Sequence, residues 1–374
     1  MNAPKLRFKE FKDELSNHKF KDICTFFSGG TPTSSNKEYY NGDIPFIRSG
    51  EIYSDNTELF INQDAINNSS AKVVNKGDLL LALYGATSGN VAISKIDGAI
   101  NQAILCINPQ YGYSKVYIKY LLENKKETIL KTFLQGGQGN LSAEIIKSLN
   151  YSFPQIEEQE KIGDFLSLLD KKIELQTKKI EDLKLFKKGL ILSLKKNSFD
   201  WHTVCIKDLF KITRGVVIPK NELSEFKSGE YKYPVYSSQT SNQGVLGYSD
   251  TFDFNGKYLT WTTDGANAGK VFYRNGKFRC TNVCGVLYED NIRFTNELFA
   301  ELLNYETPKH VSYVGNPKLM NNIMANIKIK IPSNEIQENI SLVINTINHK
   351  VNLETNKLLK LKELKKGLMQ SMFV

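Results

Sequence analysis

Two Asn-Pro steps, Asn108-Pro109-Gln110 and Asn316-Pro317-Lys318, come nearest to the Asn/Asp-Pro-Pro-aromatic element of an adenine methyltransferase, and neither completes it. No Gly-x-x-x-x-Gly-Lys-Ser/Thr loop is present to cradle a nucleotide. Ser28-Gly29-Gly30-Thr31-Pro32 and Gly136-Gly137-Gln138-Gly139 are glycine-rich, but neither leads from a strand into a helix opened by Lys-Ser/Thr, so both read as tight loops. The histidines His18, His202, His310 and His349 are too dispersed for an acid-base pair. The five cysteines, Cys24, Cys106, Cys205, Cys280 and Cys284, form neither a disulfide framework nor a paired Cys-x-x-Cys metal site. The expectation is a chain with no catalytic residues, no metal and no cofactor of its own.

What remains is binding chemistry. The 374 residues carry 49 Lys and Arg against 40 Asp and Glu, a formal charge of +9, which favours a polyanionic partner, with nucleic acid the first candidate. A hydrophobic content of 41% and a charged content of 24% are those of a globular protein with real cores. No apolar run reaches the roughly 18 residues a membrane span needs, and residues 1–28 lack a signal peptide's apolar stretch, so a soluble cytoplasmic protein is expected.

The chain repeats itself. Shifted by 178 positions, Pro154–Lys195 lies over Pro332–Phe373 without a gap and with 16 identities in 42 positions, among them Glu157/Glu335, Gln159/Gln337, Glu160/Glu338 and the run Lys187-Lys188-Gly189-Leu190 over Lys365-Lys366-Gly367-Leu368. Ahead of each copy lies a more divergent stretch with shared landmarks: Gly85-Ala86-x-x-Gly89-x-Val91 recurs as Gly265-Ala266-x-x-Gly269-x-Val271, and Gly137-x-x-x-Leu141 as Gly315-x-x-x-Leu319. The divergent stretches read as mixed α and β. Residues 77–83 and 257–262 look like buried strands, Val271–Arg279 like a hairpin turning at Asn275-Gly276, and residues 113–133 and 296–303 like helices.

The fold class is therefore α+β: two mixed α/β recognition domains, 1–154 and 198–332, related by a pseudo-twofold duplication and separated by two long antiparallel coiled-coil helices, 155–197 and 333–374. Apolar residues Ile162, Leu166, Leu169, Ile173, Ile180, Leu183, Leu190 and Leu194 alternate steps of three and four once Gln176 and Lys187 fill the gaps, and the second copy does the same with Glu354 and Lys365. About 40 residues give rods of roughly 60 Å, long enough to hold two domains one to two turns of DNA apart. Parallel pairing would set Lys187 against Lys365 in a desolvated seam, whereas antiparallel pairing can set Lys187 against Glu354 and Gln176 against Lys365. That register is the one expected.

Residue types that contact phosphates or base edges mark candidate DNA contacts. In the first domain these are Arg48, Ser49, Lys95, Gln135, Gln138 and Asn140; in the second, Arg214, Asn267, Lys270, Arg274, Lys277, Arg279, Asn316 and Lys318. The basic-aromatic run 270–279 is the densest group, with its aromatics in a core and its charges in solvent as the competing reading. Glu157, Gln159, Glu160 and Glu335, Gln337, Glu338 start the two helices, where they either cap or dock a partner.

With the duplication, paired helices and missing catalytic motifs, the chain resembles the specificity subunit of type I restriction-modification enzymes over its whole length. Pro4-Lys5-Leu6-Arg7-Phe8, the stretch from Lys21-Asp22-Ile23 to Ser28-Gly29-Gly30-Thr31-Pro32, and Pro-x-x-Glu-x-Gln-Glu-x-Ile at 154–162 and again at 332–340 carry the likeness. Leu15 departs from it, standing where the family commonly has a tryptophan, as at Trp201. The resemblance implies a non-catalytic subunit whose two domains each read half of a bipartite asymmetric target. Its partners would be modification subunits, expected to be two, that methylate adenine N6 with S-adenosylmethionine, and restriction subunits that use ATP and Mg. A specificity module of a related single-complex restriction system, or a coiled-coil adaptor that binds only proteins, are the alternatives.

Overall fold

The computed structural model describes residues 4–134, 140–196, 201–239 and 241–374. Four helices position everything else: α1 (Lys115–Leu134), α2 (Ile156–Lys196), α3 (Glu297–Glu306) and α4 (Asn334–Met372). Asn296 starts α3 by accepting the Phe299 amide at 3.0 Å, a side-chain N-cap. Among the described residues no helix is long and apolar enough to cross a membrane. The chain groups into two compact units, residues 1–177 with 356–374, and residues 178–355. The division falls inside both long helices rather than at their ends, so each helix gives residues to both units.

In the first unit, strands β1 (Leu79–Ala82) and β2 (Val91–Ile93) pair antiparallel, and β1 also pairs with Ile104–Pro109, which pairs in turn with Cys24–Ser28. A second four-stranded sheet holds Ile44–Ile47 and Gly98–Ile100 in parallel. The main core gathers Leu79, Leu81, Leu105 and Ile107 with Tyr117 and Leu121 of α1, Ile162 and Leu166 of α2, and Met369, Met372 and Phe373. The second unit is built on a six-stranded sheet containing β3 (Phe254–Thr262) and β4 (Val271–Cys280), with Trp261, Val271, Phe299 and Leu303 in its core. Here the expected hairpin fails. Val271–Cys280 is one ten-residue strand, and Gly276 sits mid-ladder opposite Gly256, both at positive φ (+110° and +125°). Two facing glycines bend the ribbon where Asn-Gly was expected to reverse the chain.

The heptad seam forms as the spacing predicts, with Ile162, Leu166, Ile180, Ile344, Ile347 and Glu354 buried and the other seam positions shielded from full exposure. Within the second unit the helices run antiparallel: Lys179 meets Glu354 at 2.9 Å while Lys187, further along α2, meets Asn348 at 2.8 Å, further back on α4. The expected register is wrong. Lys187 lies six residues, about 9 Å of helix rise, from a pairing with Glu354. Nor is Lys365 set against Gln176.

The cause is a counter-charge outside the helix pair. Lys187 Nζ donates to Glu301 of α3 at 2.6 Å as well as to Asn348. In the first unit, Lys365 donates to Glu123 of α1 at 2.8 Å and to Asp170 of α2 at 2.7 Å. The two clusters are the same construction displaced by 178 residues: Lys187/Lys365, Glu301/Glu123 and Asn348/Asp170. Their fourth members differ together. Lys119 lies 3.1 Å from Asp170, whereas in the second unit Glu297 accepts from Asn348 Nδ2 at 2.8 Å. A cation beside a carboxylate is thus replaced by a carboxylate beside an amide donor. Burial opposes ionisation of Asp170, but Lys365, Lys119 and the Tyr120 hydroxyl hold its carboxyl below the ordinary range, while burial raises that of Glu297.

The match between clusters sets a double-mutant test. Lys119→Glu should destabilise the first unit by about 2 kcal/mol in urea unfolding, because it places a third carboxylate beside Asp170 and Glu123. Adding Asp170→Asn, which recreates the pair of the second unit, should recover most of that loss. Two additive losses would show that the clusters are not equivalent.

Candidate nucleic-acid interface

The repeated Gly-Ala landmark folds into the same turn in both units. Gly85 and Gly265 enter it at φ +72° and +93°, a left-handed conformation that only glycine adopts without strain. Ser88 N donates to Gly85 O at 3.0 Å and Gly89 N to Ala82 O at 2.8 Å, and Ala268 N to Gly265 O at 2.9 Å and Gly269 N to Thr262 O at 2.8 Å match them. Beside each turn the chain returns on a second loop, fixed by Leu141 N to Leu83 O at 3.1 Å and by Leu319 N to Thr263 O at 2.9 Å. In the second unit this loop closes through reciprocal backbone bonds between Ser312 and Lys318, with Tyr313, Val314 and Asn316 outermost.

Of the candidate contacts, Asn267, Asn316 and Lys318 stand exposed together on these joined loops, and Asn140 is exposed at the matching place in the first unit. Gln135 and Gln138 lie outside the described residues. Lys95 is exposed just after β2, Arg214 at the end of its strand, Lys270 just ahead of β4 and Lys277 within β4; Ser49 is half-buried. Lys277 Nζ rests 4.5 Å from the Phe252 ring. Two arginines are already committed. Arg48 binds Glu51 at 3.0 Å and Glu58 at 2.5 Å, and Arg279 binds Glu222 at 2.8 Å and Asp253 at 3.2 Å, so each sits between two carboxylates.

Arg274 is not a DNA contact. It is only 6% exposed, its guanidinium lies 3.5 Å from the Tyr236 ring and 4.4 Å from that of Phe272, and it donates to Thr260 Oγ1 and to the Gln243 carbonyl. Burial lowers its pKa, as expected for a cation stacked on aromatic faces inside a domain. Sequence proximity to exposed lysines suggested a shared surface, but strand alternation points Arg274 the other way.

A model of the type I restriction modification DNA specificity domain matches twice, over residues 12–185 and 199–363. The chain belongs to that family. This specificity subunit is 44% identical over 145 residues to a protein of Mycoplasma pneumoniae described as the N-terminus of a putative type I specificity subunit, covering 38% of this chain and 76% of that one. It is 30% identical over 232 residues to the specificity subunit of the type I restriction enzyme MjaIX of Methanocaldococcus jannaschii, covering 55% and 54%. In fold it is similar to the crystal structure of a type I restriction-modification S subunit from M. genitalium, with a TM-score of 0.71, 15% identity and coverage of 100% and 99%.

The helix-start elements of the specificity subunit divide into inner and outer parts. Gln159 and Gln337 are buried and therefore turned away from any docking surface. Gln159 Nε2 donates to Pro154 O at 2.8 Å and its Oε1 accepts the Ser114 amide, while Gln337 Nε2 donates to Pro332 O at 2.7 Å. Each glutamine is a brace that fixes the proline entry to its helix. Glu157, Glu160 and Glu338 are exposed, and the side chain of Glu335 lies outside the described residues. Glu158, between the motif positions, is 2% exposed and takes a bidentate pair from Arg7.

Glu51 offers a pH test of the loop that holds Arg48. Burial opposes its ionisation, but Arg48 and the backbone amides of Glu58 and Arg48 outweigh it and hold the carboxyl at about 2. A depressed carboxyl adds stability above its unfolded value near 4.3, and that stability is lost as pH falls toward 2. Carboxyl NMR shifts should therefore show Glu51 still ionised at pH 3.5, and titration near pH 4 would refute the pairing.

Proposed function

We propose that this specificity subunit gives a type I restriction-modification complex its target: each unit reads one half of a bipartite, asymmetric sequence in double-stranded DNA, and the catalysis belongs to other chains. The observation that carries this reading is the double match of the DNA specificity domain, one match over each half of the duplication. Two readers of shared architecture and different surface suit two unlike half-sites. Phosphate contacts would supply salt-dependent affinity and base contacts the discrimination, multiplied across the two domains.

The long helices support docking of modification subunits. Both keep an outward apolar stripe at repeat-matched positions: Phe165 and Val343, Leu175 and Leu353, Phe186 and Leu364 are all exposed. Such side chains outside a satisfied seam favour helices of another protein. The stripe occurs twice, which suits two methyltransferase copies that methylate adenine N6 with S-adenosylmethionine. ATP- and Mg-dependent restriction subunits would join the same assembly.

Direct sequencing of N6-methyladenine in the host genome, with and without the gene, should show one bipartite motif that disappears with it. A methylome unchanged by deletion, with the methyltransferase expressed, would refute the reading. Leu175→Asp with Leu353→Asp should reduce co-purification of the modification subunit at least tenfold, whereas unchanged recovery would move docking off the stripe.

A further inference from the structure

We infer that the outer face of the β3–β4 ribbon, carrying Asn255, Lys257, Asn275 and Lys277, is the base-reading element of the second domain and enters the major groove of DNA. The inference rests on the reading of the chain as a DNA specificity subunit and names the residues that would set one half-site.

The two domains share an inner ladder. Leu79 pairs with Ile93, Leu80 with Ala92 and Leu81 with Val91; displaced by 180 residues, Leu259 pairs with Tyr273, Thr260 with Phe272 and Trp261 with Val271. In the first domain the ladder is interrupted beyond Leu79/Ile93, where Gly77 N donates to Ser94 O at 2.9 Å, and it resumes at Val74/Gly98, the counterpart of Phe254/Phe278. In the second it runs on through Tyr258/Arg274, Lys257/Asn275, Gly256/Gly276, Asn255/Lys277 and Phe254/Phe278. Parts common to both domains cannot distinguish two different half-sites. A bipartite asymmetric target must be read by what differs: only the second domain keeps this stretch as a continuous ladder, and where it carries Asn255, Lys257, Asn275 and Lys277 the first carries Asn75, Gly77, Lys95 and Asp97.

Alternation sorts the extension into two faces. Phe254, Tyr258, Arg274 and Phe278 turn inward, with the Phe254 and Phe278 rings stacked at 5.2 Å. Asn255, Lys257, Asn275 and Lys277 turn outward and all four are exposed, with an asparagine opposite a lysine in each pair. Between the two pairs lie Gly256 and Gly276, which add no side chain to either face.

This composition fits the major groove. A two-stranded ribbon fits within its roughly 12 Å width, an asparagine amide matches adenine N6 and N7, and a lysine ammonium matches the guanine O6 and N7 acceptors. The quartet carries two positive charges and no carboxylate, complementary to the groove and its flanking phosphates. Lys277 is held against Phe252, which restricts the rotamers it must give up on binding.

The test uses the full chain expressed with its own methyltransferase. Asn275→Ala, Lys277→Ala and the quadruple alanine variant are compared with wild type by N6-methyladenine sequencing and by duplex binding of the assembled complex. The expected result is a motif relaxed at one or two positions of a single half-site, the other half intact. Affinity for the cognate duplex should fall roughly tenfold or more per residue, and less for duplexes altered at the relaxed positions. An unchanged motif in the quadruple variant would overturn the inference, and so would an equal loss on every duplex, which marks phosphate contact. Asn275→Gln and Lys277→Arg, which keep the donors, control for folding together with the thermal midpoint. If wild type itself shows no bipartite motif, the specificity reading fails first, and that outcome is distinct from failure of the ribbon alone.

Discussion

A lysine that cannot be left unpaired organises each unit. Lys187 and Lys365 stand at seam positions between helices, where an ammonium without a carboxylate would lose its hydration and receive little in return. Each is satisfied from two directions, by a glutamate on the recognition-domain helix and by an oxygen on the opposite long helix. Three elements must arrive together for that coordination to close. The apolar seam alone permits several registers, because leucine and isoleucine tolerate sliding by a heptad. The polar cluster selects one of them, and in doing so it fixes the recognition domain to the helix pair.

The same feature explains what could and could not be read from the sequence. The duplication, the seam spacing and the antiparallel sense follow from periodicity and from the penalty on like charges, and they stand. The register does not, because it is set from outside the two long helices: the deciding glutamates lie on other helices, Glu123 on α1 and Glu301 on α3. The repeat held a usable clue: Glu123 and Glu301 are separated by the same 178 positions as the lysines they bind. The Asn275-Gly276 dipeptide reads as a turn by local propensity, but ladder pairing against Gly256 overrides it. Arg274 looked like one of a run of surface cations, and only the strand's alternation reveals that it is enclosed by aromatic rings. The glutamines of the helix-start motif look like docking residues until the proline carbonyls they brace are seen.

The two domains keep what is mechanical and vary what is displayed. The Gly-Ala turn, the adjoining return loop and the inner ladder recur with matching hydrogen bonds. The parallel pairing of Phe46 with Ala99 recurs as Val235 with Arg279, and what does not recur is the break between Leu79/Ile93 and Val74/Gly98, which the second unit bridges as one continuous ribbon with other side chains. A protein built from two such readers can change one display without disturbing the other, because the scaffolding bonds run within each unit. The compensated difference between Lys119 with Asp170 and Glu297 with Asn348 follows the same rule: the contact survives while its charges are rearranged.

The sharing of both long helices between the units also bears on how the chain is made. The core of the first unit includes Met369, Met372 and Phe373, which pack with Leu79, Tyr117 and Leu166. On a ribosome, residues 1–177 emerge nearly two hundred residues before these three. Until then the first domain exposes an apolar surface that its own segment cannot cover, and it cannot mature as the independent N-terminal unit of a sequential folder. Completion of the first domain therefore waits on the last turns of α4, long after its own segment has been made.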